Sequence, residues 1–185
     1  MKLSTRATIA LLIAEEAGRV LLSEAKRIQA GKKARSHISH KKNIGTGEQE
    51  TVTTVDRLID DLIIGSIQRA YPKEFILTEE SYKKLDTKKR LRQKSIWVVD
   101  PIDGTINFSL FLLGKAKEKR QQSFSISIAW ANHGVLQLGV LHTPVLGETW
   151  VAEKGRGTWY RQRKKAWEKL TMKPPTSKQL TIALN

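Results

Sequence analysis

The chain has 185 residues, of which 39% are hydrophobic and 28% charged, a balance that fits one soluble globular domain with a sizeable core. It contains no cysteine, which excludes disulfides and thiolate metal sites and fits a reducing compartment, so the expected location is the cytoplasm. With 33 Lys and Arg against 18 Asp and Glu, the formal charge of +15 attracts polyanions through its long-range field, which bears on association with nucleic acid, acidic surfaces or phosphorylated metabolites and not on fold.

The opening "MKLSTRATIALLIAEEAGRV" briefly imitates a signal peptide, but two glutamates follow its apolar stretch with no small-residue cleavage site before them. Apolar positions 9, 12, 13, 17, 20 and 21 recur at helical spacing, so the segment predicts an amphipathic helix over residues 5–28. No later stretch is long enough to span a membrane. Residues 31–50, rich in Gly, Lys, His and Ser, read as a polar loop. The pair His37 and His40 within it has a spacing that could hold a metal on a helix, yet among lysines a solvated basic segment is the better reading. "TVTTVDRLIDDLIIGSIQRAYP" predicts a second helix with Val55, Leu58, Ile59, Leu62, Ile63 and Ile67 as its buried stripe, closed by Pro72. Thr53 with Asp56 three residues on resembles a capping box, with the acid near the positive end of the helix dipole.

A short strand, residues 75–77, then runs into Glu79 and Glu80. The basic connection at 81–95 and the mixed run "FSLFLLGKAKEKRQQ" both read as exposed excursions, and the second makes 109–122 an insertion beside the strand of "WVVD". In "SFSISIAW", Phe124, Ile126, Ile128 and Trp130 alternate with serines, the mark of a strand with one buried face. "ANHG" and "TPVLGE" turn the chain through further strands into "TWYRQ", an antiparallel meander. A basic tail follows, with a last apolar run in "QLTIAL". The expected class is α+β, with two N-terminal helices packed on a mostly antiparallel sheet.

The chemistry gathers at three places where acids close a strand or open a helix: Asp56, Glu79 with Glu80, and Asp100 with Asp103. If the strands leading to Glu79 and Asp100 are neighbours, bare carboxylates meet at one sheet edge, where they must share protons or hold a cation. An all-oxygen set without His or Cys suits Mg²⁺. In "DPIDGT" a turn can aim the Ile102 carbonyl inward, and Gly104 lets the backbone approach a ligand. If Thr105 opens a helix, the amides of Gly104 and Thr105 point at an anion. Taken alone, each piece is ordinary turn chemistry or a solvated pair. Their ordered combination points to phosphoester hydrolysis.

With "VTTVD", "ILTEES" and "WVVDPIDGTINF" in that order, the chain resembles the inositol monophosphatase family, the lithium-sensitive, Mg²⁺-dependent sugar and nucleotide phosphatases. "FSISIAW" and "GVLQLGVLHTPVLGETWVAEKGRGTW" resemble the family's meander and Gly-x-Gly turn. The resemblance implies the N-terminal half of a layered α/β/α/β/α fold, a small phosphorylated substrate such as an inositol phosphate, and a homodimer. It implies that Glu79, Asp100, the Ile102 carbonyl and Asp103 hold metal. It further implies that Thr105 paired with Asp56 activates the attacking water, and that the Gly104 and Thr105 amides hold phosphate.

Family members are longer, with a second half carrying a W-D-x-x-A-G type motif whose aspartate completes a metal site. No "WD" occurs in this chain, so residues 1–185 are expected to be a single N-terminal domain without the C-terminal one. The threonine of "TEES" stands where glycine is common in the family. Two other readings fit the same sequence: a basic module that binds nucleic acid or another polyanion on this fold, and an inactive remnant of the enzyme. Salt-dependent RNA or DNA binding without hydrolysis marks the first of these.

Overall fold

Small residues build the first helix of the computed structural model, which describes residues 1–31, 34–42, 49–82, 88 and 92–171. Ser4 caps helix α1 (Thr5–Ala30) by accepting from the Ala7 amide at 3.2 Å. The buried face of α1 is a seam of Ala7, Ala10, Ala14, Ala17, Gly18, Leu21 and Ala25, with Ile13 and Ile28 beside it. The large apolar positions of the sequence pattern only partly coincide with this face: Ile13, Ala17 and Leu21 are buried, but Leu12 is 59% exposed. Alanines let the helix sit close on the sheet, with Leu11, Ile13, Leu21 and Ile28 buried among them and Ile9 and Val20 packed at the margin.

A hairpin of β1 (Ile38–Lys42) and β2 (Gln49–Thr53) occupies most of the segment expected to be a polar loop. Its antiparallel register, Ile38 opposite Thr53 and Lys42 opposite Gln49, is a backbone ladder with no apolar alternation to reveal it. A 3-10 turn, Ala34–His37, precedes it, and His37 Nδ1 bonds Thr54 Oγ1 at 2.8 Å. The side chains of His40 and Thr53 lie outside the described residues, and with them the His pair and the Thr53 half of the capping box. Helix α2 (Thr54–Ala70) buries Val55, Ile59, Ile63 and Ile67, each worth roughly 1.5–3 kcal/mol of apolar burial. Leu58, expected in that stripe, is 42% exposed, while Asp56 and Asp60 are buried with it.

Strand β3 (Phe75–Thr78) leads into a single helical turn, α3 (Glu79–Tyr82). Then come β4 (Ser95–Asp103), helix α4 (Thr105–Leu112), and the meander β5 (Ser125–Asn132), β6 (Val135–Thr143), β7 (Glu148–Glu153), β8 (Gly157–Gln162) and β9 (Glu168–Leu170). These strands form one seven-stranded sheet in chain order, β3 parallel to β4 and every other pair antiparallel. The class is α+β. The stretch after Asn107, expected to be an exposed excursion, instead starts as α4, with Phe108, Ser109 and Leu112 buried. Phe108 and Phe111 pack on Phe124 with ring centroids 5.1 and 5.4 Å apart, and Gln29 of α1 donates to the Phe111 carbonyl at 2.8 Å. A uniform apolar run carries no helical period, which is why this element is hidden in the sequence.

Alternation along β4 to β7 sends Trp97, Val99, Ile126, Ile128, Val140 and Val151 into the core beneath α1 and α2. Gly18 is where α1 comes closest: a Cβ there would lie 2.6 Å from His142 Cδ2 and 3.1 Å from Pro144 Cβ. At its start α1 is clasped to the sheet by Arg6. The guanidinium bonds both oxygens of Glu74 and lies 4.0 Å from the ring centres of Tyr71 and Trp130. Trp97 Nε1 donates to Glu74 at 2.6 Å. Burial alone would raise the Glu74 pKa, but the bonds from Arg6 and Trp97 outweigh it and hold the carboxyl below its usual range. Among the described residues no helix is long and apolar enough to cross a membrane.

Candidate active site

Parallel pairing of β3 with β4 sets Thr78 opposite Val99, so the next residues, Glu79 just past the end of β3 and Asp100 still within β4 opposite Ser127, stand side by side. Their carboxyls are within hydrogen-bonding reach of each other. Two carboxyls so close need a proton or a cation between them. Asp100 is pushed up to about 6 by burial first and then by the negative charge of Asp103, with a smaller push from Asp56. The bonds from Glu79 and from the Ile102 amide, which donates to Asp100 Oδ1 at 3.1 Å, pull the other way.

Beyond Asp100 the ladder to β5 shifts between Asp100 and Asp103, and this irregularity bends β4 toward α4. Asp103 emerges exposed and accepts from Ser125 Oγ at 3.1 Å through Oδ2. Gly104 then turns the chain with φ 88° and ψ 43° and stands as the N-cap of α4. The first intrahelical bond runs from the Phe108 amide to the Gly104 carbonyl at 3.0 Å. The amides of Thr105, Ile106 and Asn107 precede it and have no acceptor within the helix, the geometry in which helix N-termini receive anions. Asn107 Nδ2 ties this end down by donating to the carbonyls of Ser123 at 2.9 Å and Arg120 at 3.3 Å.

Thr105 Oγ1 donates to the Ile102 carbonyl at 3.0 Å and lies 3.5 Å from Asp56 Oδ1. Asp56, in the first turn of α2, is 3% exposed. The structure thus brings Asp56, Glu79, Asp100, Ile102, Asp103, Gly104 and Thr105 to one end of β4. The pairs are Asp56 with Thr105 and Glu79 with Asp100; Asp103 bonds Ser125 and acts on Asp100 through its charge. Among the described residues no three His, Cys, Asp or Glu side chains already converge as a bound ion would require. The donor set still fits a hard divalent cation: it is all oxygen, with a raised carboxyl at its centre.

Two polar neighbours of the site are not among the residues that the sequence motifs single out. Ser125 looks like one more polar residue in an alternating strand, and only the cross-strand register places it on Asp103. Asp60 has a local signal, since it lies four residues after Asp56 on the same helical face.

The pattern of the inositol monophosphatase family matches residues 3–184. The chain belongs to the inositol monophosphatase family. Among curated relatives, a fructose-1,6-bisphosphatase/inositol-1-monophosphatase of Thermotoga maritima is 38% identical over 116 residues, covering 62% of this chain and 39% of the relative. The Nus factor SuhB of Escherichia coli is 34% identical over 111 residues, 60% of this chain and 37% of the relative. Human inositol monophosphatase 1 is 29% identical over 138 residues, 74% and 46% of the two chains. Of solved structures, the Thermotoga maritima IMPase superposes with a TM-score of 0.65 at 30% identity, covering 86% of this chain and 53% of that one. The SuhB of Bartonella henselae gives a TM-score of 0.63 with the same coverage. The chain therefore spans less than half the length of these curated relatives and about half of the solved ones. The inositol monophosphatase family is one of phosphatases and is generally metal-dependent.

Proposed function

We propose that this chain carries the phosphate- and metal-binding site of a Mg²⁺-dependent phosphomonoester hydrolase acting on a small phosphorylated metabolite, and that residues 1–185 correspond to the N-terminal domain of the longer family members. The observation that carries this is the juxtaposition of Glu79, directly after β3, with Asp100 on the adjacent parallel strand, four residues before Gly104, the turn that opens α4.

Glu79, Asp100, Asp103 and the Ile102 carbonyl are the residues that would hold Mg²⁺. When bound, such an ion withdraws charge from phosphate oxygens and makes a neighbouring water easier to deprotonate. The amides at the start of α4, from Gly104 and Thr105 onward, bind the phosphate oxygens and fix the phosphorus in front of the acids. Thr105 Oγ1 lies within reach of both the Ile102 carbonyl and Asp56 Oδ1, so with its single proton turned from the carbonyl to Asp56 it can take a proton from water as it passes its own to the carboxylate. Burial of Asp56 keeps bulk water from competing for that proton.

Release of inorganic phosphate from inositol monophosphate and fructose 1,6-bisphosphate tests the reading. Activity should require Mg²⁺, and Asp100→Asn should lower it by about 100-fold or more while the fold persists. If the purified chain binds no divalent cation at millimolar concentration, this reading is wrong. A second reading, binding of a polyanion such as RNA without hydrolysis, is favoured by the charge of +15 and by the similarity to Nus factor SuhB. Salt-sensitive RNA retention by a chain that releases no phosphate supports it.

A further inference from the structure

Asp60 is a buried acid that the proposed hydrolysis does not use. It is 7% exposed on α2, one helical turn beyond Asp56, in a stripe otherwise made of Ile59, Ile63 and Ile67. A carboxylate placed there is costly unless hydrogen bonds satisfy it. Thr78 Oγ1 donates to Asp60 Oδ2 at 3.2 Å.

Thr78 is itself 2% exposed and is the last residue of β3, directly before Glu79. Its bonds to Ser81 run in both directions: the Ser81 amide donates to Thr78 Oγ1 at 3.1 Å, and the Thr78 amide donates to Ser81 Oγ at 3.0 Å. Each hydroxyl has one proton. The carboxylate is the stronger acceptor, so the Thr78 proton goes to Asp60, and the Ser81 proton goes to the Thr78 carbonyl at 3.3 Å. With that assignment the two amide bonds and the bonds to Asp60 and the Thr78 carbonyl coexist, and the 3.1 Å contact between the Thr78 and Ser81 hydroxyl oxygens carries no proton. It is a reciprocal cap on α3, whose first residue is Glu79.

Three elements therefore meet at Thr78. Asp60 ties it to α2, Ser81 ties it to the turn that bears Glu79, and the β-ladder holds it opposite Val99, one residue before Asp100. A one-turn helix has little cohesion of its own, so the direction in which Glu79 leaves the strand depends on this junction. We propose that Thr78, braced by Asp60 and Ser81, is a positioning residue that aims the Glu79 carboxylate at the cation shared with Asp100. This rests on the metal-site reading above.

Calorimetric titration of the full chain with Mg²⁺ or Mn²⁺, with thermal melts of each variant alongside, tests it. Thr78→Val and Ser81→Ala should weaken cation binding about tenfold, the range seen when groups that orient a metal ligand are removed, while Thr78→Ser stays near the parent. Should Thr78→Val fail to fold, Ser81→Ala decides the matter, since Ser81 is only half-buried. A parent chain that binds cation together with a folded Thr78→Val or Ser81→Ala that binds it equally well overturns this inference alone. Equal loss in Thr78→Ser and Thr78→Val also overturns it, because packing and not the hydroxyl would then matter. A parent chain that binds no cation overturns the metal-site reading and this inference together.

Discussion

Gly104 holds a backbone conformation that glycine adopts freely and other residues do not. Its φ of 88° is a conformation that costs an L-residue about 1–2 kcal/mol, and a Cβ would lie 3.3 Å from the Ser123 carbonyl oxygen, a backbone atom that the Asn107 bond holds in place. Gly104→Ala should therefore lower the melting temperature by several degrees and reduce phosphate binding, because relief of either contact swings the first amides of α4. An unchanged melt would show that the turn relaxes freely. At this scale the sequence is unusually readable. Asp56, Glu79, Asp100 and Asp103 stand out because each acid sits where a strand or helix ends, and the order of the blocks is specific. Ser125 and Thr78 do not stand out, because their roles depend on which strand lies beside which. Register across β3, β4 and β5 is a long-range property, and a serine in an alternating strand looks the same whether it faces solvent or a carboxylate.

Helix α1 and strand β6 meet through His142, which shows how a pH response can arise away from any chemistry. Its ring lies against Gly18, and Nδ1 bonds Thr149 Oγ1 at 2.9 Å. Burial, followed by the charge of Arg161, lowers its pKa to about 4, against a smaller opposite effect from the Glu148 backbone. Between about 4 and 6.5 the unfolded chain holds a proton on this residue that the folded chain refuses. The contribution of neutral His142 is thus complete above about pH 6.5 and is lost as the pH falls toward 4. Urea midpoints of the parent should fall over this window more steeply than those of His142→Phe. Parallel slopes would place the titration elsewhere. The elements themselves were unequally visible beforehand. "SFSISIAW" and the α2 stripe declare their periods, whereas the β1–β2 hairpin is held by backbone bonds between polar residues and α4 begins in an apolar run without a period. The alanine seam of α1 is less visible than its large apolar residues, since small residues weigh little in a hydrophobic pattern yet allow the closest approach.

Over the whole molecule, the α+β layering followed from two helical patterns ahead of a meander, but the joint that fastens the layers did not. Arg6, from the first turn of α1, reaches Glu74 beyond α2 and lies between Tyr71 and Trp130, with Trp97 beneath. No local pattern announces a contact between residues 68 positions apart. Arg6→Lys keeps the charge but forfeits the forked bond and the flat stacking, and should cost about 1–3 kcal/mol, read as a lower urea midpoint. A cost near zero would mean that the sheet holds α1 without the clasp. The same joint has an optical consequence. Trp97 is fully buried and Trp130 half-buried, and both touch a single cation carried by α1, so lifting the start of that helix would change the surroundings of two indoles at once. Trp150 sits at a different strand pair, against Tyr160, and would be unaffected by the same movement. Fraying of the first helix therefore registers first in the emission of Trp97 and Trp130, the two indoles that share Arg6.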